Sequence, residues 1–177
     1  VVSGGHTMLV EVKTFGEYTV MGETKDDAAG EAFDKVAKLM GLGYPGGAKI
    51  DKLAQQGDRT FVKFPRALKS KDDYSFSYSG LKTAVALYLK KLDEKEFEKH
   101  KADIAAAFQE AAIEVLVEKT VNAAREKNIK DVAITGGVAA NSRLRALMKE
   151  RLDKSAKRLF YPSTALCTDN AAMIAAA

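Results

Sequence analysis

The stretch that decides the fold is Ile134-Thr135-Gly136-Gly137-Val138-Ala139-Ala140-Asn141-Ser142-Arg143-Leu144-Arg145, or ITGGVAANSRLR. It completes DVAIT, 131–135, a run that reads as a buried strand, and it opens NSRLRALMKERLDK, 141–154, which reads as a helix. Asn141 stands where an N-cap belongs. Glycines at the carboxyl end of a strand let a flat ring or a phosphate lie against backbone, and the following helix N-terminus favours negative charge. The plainer reading is an ordinary βα loop with an Asn cap.

The chain opens on the same logic. Val1-Val2-Ser3-Gly4-Gly5-His6-Thr7 is a β-branched pair followed by small residues and two hydroxyls. Glycines there permit close approach of an anion to backbone N–H groups, with Ser3 and Thr7 as extra donors. A two-residue Gly-Gly hairpin turn explains the same residues equally well. Two such corners in one small chain point together towards a nucleotide cleft.

Between the corners, residues 1–22 read as a meander of three strands, and DDAAGEAFDKVAKLM, 26–40, as a helix with Asp26 and Asp27 at its favourable end. A Gly/Pro turn and a short helix follow over 43–57, then an irregular, strand-rich stretch over 58–79. Ser79 or Gly80 opens the next helix. After a charged hinge near 93–100, a long helix reaches about Lys127, with Ile104, Phe108, Ala111 and Val115 on one face and a span of about 40 Å. RLFYP, 158–162, reads as a strand, and a last helix starts near Asp169. The order is mixed α/β.

Composition bounds the rest. The 177 residues are 46% apolar and 29% charged, enough for one sizeable core, and the net charge of +4 is only mildly basic. No apolar run approaches the roughly 20 residues that span a bilayer. One cysteine, Cys167, makes no internal disulfide and fits a reducing, cytoplasmic setting. His6 and His100 read as hydrogen-bonding and surface residues, and no H-E-x-x-H or C-x-x-C motif is present. The carboxylates Asp34 and Asp51 are candidates for ribose hydroxyls, or else solvated or helix-end acids. Asp169 and Asn170 fit a helix start. Arg66, Lys69, Lys71 and Lys82, interleaved with Phe64, Tyr74, Phe76 and Tyr78, suit RNA contact or a charged irregular excursion.

Five blocks, SGGHT (3–7), GETKDDAAGEAFDKVAKLMGLGYPGG (22–47), FSYSGLKTAV (76–85), GGVAANSRLR (136–145) and CTDNAAMIA (167–175), closely resemble, in this order, the TsaD family of tRNA N6-adenosine threonylcarbamoyltransferases. The resemblance implies the actin/Hsp70/sugar-kinase (ASKHA) fold, with residues 1–177 as the second of two lobes, entered at a phosphate loop and left at the helix connecting the lobes. It implies that Val1, Val2, Ser3, Gly4 and Gly5 bind the substrate's phosphate region, that Asp34, Gly47 and Asp51 hold the ribose side, and that Asn141 holds the adenosine. Asp169 matches one ligand of a divalent metal, iron or zinc, whose remaining ligands belong to the absent lobe. The implied partners are threonylcarbamoyl-adenylate, tRNA and accessory proteins of the TsaB and TsaE type, with no membrane. The implied reaction passes a threonylcarbamoyl group from the adenylate to N6 of an adenosine 3′ to the anticodon, without a protein nucleophile. The lobe alone is expected to bind nucleotide weakly and not to turn over. The competing readings are a related carbamoyltransferase or ATPase of the same fold, and a non-catalytic nucleotide-binding scaffold.

Overall fold

The strands and helices follow from the hydrophobic pattern, with corrections where partners lie far away in sequence. The computed structural model describes residues 1–67 and 73–175. A hairpin of β1 (Met8–Thr14) and β2 (Glu17–Glu23) leads to α1 (Ala29–Leu39), α2 (Gly46–Ala54), α3 (Ser79–Leu89) and the 33-residue α4 (Glu94–Glu126). Then come β3 (Asp131–Ala133), α5 (Ser142–Asp153), β4 (Arg158–Phe160) and the short α6 (Ala171–Ala175). β3 and β4 are parallel, β1 and β2 antiparallel.

Residues 1–2 stitch the two pairs together. Met8 N–H donates to the Val1 carbonyl at 3.0 Å, and Val2 N–H donates to the Thr135 carbonyl at 2.8 Å. Backbone hydrogen bonds therefore run from β2 through β1, residues 1–2 and β3 to β4. The expected third strand of the meander is only this stitch, with Val2 bridging Thr7. The strand-rich expectation for 58–79 also fails: among its described residues only Phe76 pairs, beside Thr24.

Helix α4 organises the core. Its middle is buried nearly all round, from Ile104 to Val117, and Phe108 meets Phe33 of α1 edge-on at 5.0 Å between centroids. Helices α2, α3 and α5 pack along it. The expected hinge at 93–100 does not exist, because Asp93 caps the helix by accepting from Glu96 N–H at 2.8 Å. The helix is accordingly about 50 Å long rather than about 40 Å.

Asp26 and Asp27 do not begin α1; they precede it and serve α3. Asp26 accepts from Tyr78 N–H at 2.8 Å, Ser79 N–H at 3.2 Å and the Ser77 hydroxyl at 2.5 Å, closing the first turn of α3. Asp27 lies between Lys35 at 2.7 Å and Lys82 at 2.9 Å. For Asp26, burial pushes the carboxyl up, but the hydrogen bonds from Ser77, Tyr78 and Ser79 outweigh it and hold the group below the usual 3.8. For Asp27 burial is likewise outweighed, here by the two lysines. A folded-state pKa lowered in this way gives stability that is complete above about pH 4 and is lost as pH falls through the lowered value. Urea unfolding midpoints from pH 7 to pH 3 are expected to decline for the wild type, and to decline less steeply for Asp26→Asn and Asp27→Asn. Equal slopes in all three would remove this account of α3.

The basic and aromatic run resolves into core and ion pairs. Phe64, Phe76 and Tyr78 are buried, Arg66 pairs with Glu114 at 2.8 Å and Lys82 with Asp27. Buried rings offer no stacking platform to a base. Lys69 and Lys71 lie outside the described residues. His100, expected as solvated surface, instead stacks on Phe61 at 4.5 Å and contacts Asp103 at 3.0 Å.

Candidate functional site

The fold brings the two glycine corners side by side. Val2 donates to Thr135 at 2.8 Å and accepts from Val138 N–H at 3.0 Å, so the opening loop lies against residues 135–138. Gly136 has φ +96°, and a Cβ there would stand 2.4 Å from the Val2 carbonyl oxygen. The loop also meets the N-terminus of α1, where Gly30 N–H donates to the Ser3 carbonyl at 3.1 Å and Ala29 N–H to the Thr7 hydroxyl at 2.8 Å. Gly30 has no room for a side chain: its Cβ would lie 2.6 Å from the Ser3 oxygen. Helix α1, the opening loop and the second corner are thus fitted to one another through bare backbone.

Within the opening loop, Ser3 N–H donates to the His6 carbonyl at 2.7 Å and Ser3 Oγ accepts from His6 N–H at 3.0 Å. Residues 3–6 therefore form the two-residue turn that the plainer reading proposed, and that turn abuts the second corner. Thr7 is buried and its hydroxyl is committed to α1, so it is not a ligand donor. Gly4 and Gly5 are exposed, nothing stands within 4 Å of a Cβ at either, and their N–H groups have no partner among the described residues. Gly47 and Gly137 are likewise open above. Backbone donors with clear space over them are what an anion needs.

The polar candidates are held differently. Asp34, on α1, accepts from Gly46 N–H at 2.8 Å and so closes the start of α2. Asp51, on α2, accepts from Ser142 N–H at 3.0 Å and the Ser142 hydroxyl at 2.7 Å, closing the start of α5. Asn141 caps α5 through its side-chain carbonyl, which accepts from Leu144 N–H at 2.9 Å, while its amide donates to Gln109 Oε1 at 2.7 Å. All three are joined by one chain of contacts, α1 to α2 to α5. Gln109 was not anticipated; the signal was a lone amide on the stretch 104–117 of α4, whose other residues are apolar except Glu110 and Glu114.

Asp169 stands apart. It is exposed and has no polar partner among the described residues, and Asn170 beside it accepts from Met173 N–H at 3.1 Å. Among the described residues no group of three or more His, Cys, Asp or Glu is placed to hold a metal ion. One carboxylate does not fit a divalent ion, so the residues present do not by themselves make a metal centre. Also among them, no helix is long and apolar enough to cross a membrane. Cys167 is buried, 3.2 Å from Arg145 Nη2.

The chain is mixed α/β with its two glycine corners side by side, as the actin, Hsp70 and sugar-kinase fold implied by the resemblance requires. The crystal structure of HypF from T. kodakarensis superposes with a TM-score of 0.62 at 20% identity, covering 88% of this chain and 19% of that one. Full-length HypF in its phosphate- and nucleotide-bound form gives 0.59 at 21% identity, covering 80% of this chain and 18% of that one. At these identities the likeness is one of fold. A family model described as TsaD, tRNA N6-adenosine threonylcarbamoyltransferase, matches residues 1–176, and the chain belongs to that family. Curated relatives carrying that description include those of Clostridium botulinum strain Hall, 51% identical over 177 residues, and Clostridium perfringens strain SM101, 50% identical. Both matches cover 100% of this chain and 52% of the relative, so the chain spans about half the length of those proteins.

Proposed function

We propose that the full-length protein transfers the threonylcarbamoyl group from threonylcarbamoyl-adenylate to N6 of the adenosine 3′ to the anticodon, in tRNAs reading codons that begin with A. The observation that carries this reading is the family match over residues 1–176. The open N–H groups at Gly4 and Gly5 support it.

In this reading residues 1–177 are the second lobe, working in the cytoplasm with a first lobe and with accessory proteins of the TsaB and TsaE type. The donor is a mixed carbamic–phosphoric anhydride, so AMP leaves readily and no nucleophilic side chain is needed. The backbone around Val1, Val2 and Ser3, with the free N–H groups of Gly4 and Gly5, takes the phosphate and stabilises the charge that grows on it as AMP departs. Asp34, Gly47 and Asp51 face the ribose side and Asn141 the adenosine side. The carboxylates have lone pairs beyond those engaged by Gly46 and Ser142, so they can still accept ribose hydroxyls. Holding donor against acceptor in this way supplies orientation, which is worth several orders of magnitude in rate. Asp169 is proposed as one ligand of an iron or zinc ion completed by residues outside this chain.

The test is transfer of label. Full-length protein is mixed with labelled threonine, bicarbonate, ATP, the adenylate-forming enzyme, the accessory proteins and unmodified tRNA. Label is expected in tRNA, and to fall steeply with Asp169→Ala. Absence of label with the wild type overturns the assignment. Label undiminished by Asp169→Ala overturns the metal role alone.

A further inference from the structure

A polar cleft of about 360 Å³ lies between α2, α4 and α5, and none of the four corner glycines is among its lining residues. Arg59, Gln109, Ser142 and Arg143 line it, with Gln55 and Glu110. We infer that this cleft binds a phosphate group, as a second anion site distinct from the opening loop.

The argument begins with one amide. The carbonyl of Asn141 caps α5, so its NH2 is the end that meets Gln109. Gln109 must then turn its own oxygen towards Asn141, which leaves its NH2 with no hydrogen-bond partner among the described residues. Gln109 is only 4% exposed, yet this nitrogen keeps some accessible surface: among the described residues the one fully sealed side-chain polar atom without a partner is Tyr78 Oη. Gln109 lines the cleft. A buried donor held in one orientation and left unpaired is costly unless something accepts from it.

What surrounds it selects an anion. Arg143 uses Nε and Nη2 on Glu110, at 2.6 and 2.7 Å, which neutralises the one carboxylate lining the cleft. Arg59 makes no salt bridge among the described residues, and its charge acts on the Asp58 carboxylate only through space. The backbone just before it is fixed, since Gly57 packs where a Cβ would meet the Ala102 carbonyl and Asp58 N–H donates to Asp103 at 2.8 Å, while the Arg59 side chain itself is exposed. The cleft therefore offers an amide NH2 and the Arg59 guanidinium, with a net positive lining, beside the start of α5, where the Ser142 and Leu144 N–H groups are already taken by Asp51 and Asn141. Guanidinium and amide donors lining one cleft match phosphate oxygens. A phosphodiester of an RNA strand and a free phosphate-bearing molecule share that chemistry.

Full-length protein is titrated with inorganic phosphate at constant ionic strength while the side-chain amide resonances of Gln109 and, in every variant, the backbone amide resonance of Arg143, which lines the cleft, are followed. Affinity for an anticodon stem–loop RNA is measured in parallel across a salt series. Arg59→Ala removes an exposed cation and leaves the core untouched; Gln109→Glu keeps the acceptor for Asn141 and removes the donor. Phosphate is expected to shift the Gln109 resonance saturably in the wild type and not to bind either variant at the same concentrations. If the natural ligand is RNA, which rests on the tRNA reading above, Arg59→Ala weakens stem–loop binding by about tenfold and lowers the salt dependence by about one phosphate contact. A phosphate response with unchanged RNA affinity assigns the cleft to a free phosphate-bearing ligand, and the label-transfer test then judges the tRNA reading independently. No phosphate response, together with RNA binding unchanged by Arg59→Ala, overturns the site.

Discussion

Gly136→Ala is expected to unfold the candidate site and to cost about 3 kcal/mol of stability or more. A backbone held at φ +96° costs a non-glycine residue about 1–3 kcal/mol by itself. The new Cβ would also sit 2.4 Å from the Val2 carbonyl oxygen and 2.8 Å from its carbon. Backbone atoms cannot rotate aside as a side chain can, so residues 1–3 must move. That movement breaks the hydrogen bonds linking Val2 to Thr135 and Val138, and with them the join between the hairpin and β3. Gly137→Ala is the control, since nothing stands within 4 Å of a Cβ there. It is expected to stay within about 0.5 kcal/mol of wild type in urea unfolding, as an open surface position does. If the second corner holds a nucleotide against its backbone, the same added methyl group weakens nucleotide binding. Two adjacent glycines are thus expected to separate folding from binding. Equal stability of the two variants would contradict the fitted-backbone account.

The second large effect is at Asn141. Asn141→Ala removes the cap on α5, worth about 1 kcal/mol, and strips a buried partner from Gln109, worth about 1–3 kcal/mol more. A loss of about 2–4 kcal/mol is expected in urea unfolding, with the first turn of α5 losing protection in hydrogen exchange. Asn141→Asp is expected to do something different. The carboxylate keeps the cap on Leu144, but it can only accept, so Gln109 rotates to donate to it. The carbonyl of Gln109 then takes the place of its NH2 at the cleft, and phosphate affinity falls without the stability loss seen with Ala. A drop in stability equal to that of Asn141→Ala would show that the amide pair is not what holds this region.

What could be read from the sequence was what is local. The strand, Gly-Gly and helix of 131–154 were legible because the cap, the glycines and the apolar period all lie within two turns of one another. The start of α5 was legible for the same reason. The errors lie where a side chain answers a backbone far away: Asp26 serves α3 some fifty residues later, and Asp51 serves α5 some ninety residues later. An acid next to a predicted helix start is most simply assigned to that helix, and only the packed structure shows that Asp26 belongs to another. The aromatic run misled in the same manner, since Phe64, Phe76 and Tyr78 alternate with charges in sequence but turn inward in space. Gln109 carried a faint signal, a single amide in a mostly apolar stretch, but its orientation follows only from Asn141. The site residues divide likewise. The glycines are legible from composition, whereas the commitments of Asp34, Asp51 and Asn141 are not.

Those commitments have a consequence for how the site communicates. Asp34 and Asp51 each stand on one helix and terminate the next, so α1, α2 and α5 are coupled in series like links in a chain. Any hydroxyl that draws on the Asp51 carboxylate competes electronically with Ser142, and linkage makes the influence mutual. A firmer first turn of α5 changes what Asp51 can offer, and occupancy at Asp51 changes how firmly α5 begins. If Asp51 takes a ribose hydroxyl and the cleft takes a phosphate, Ser142 is a built-in reporter, because its amide is bonded to Asp51 and the residue lines the cleft.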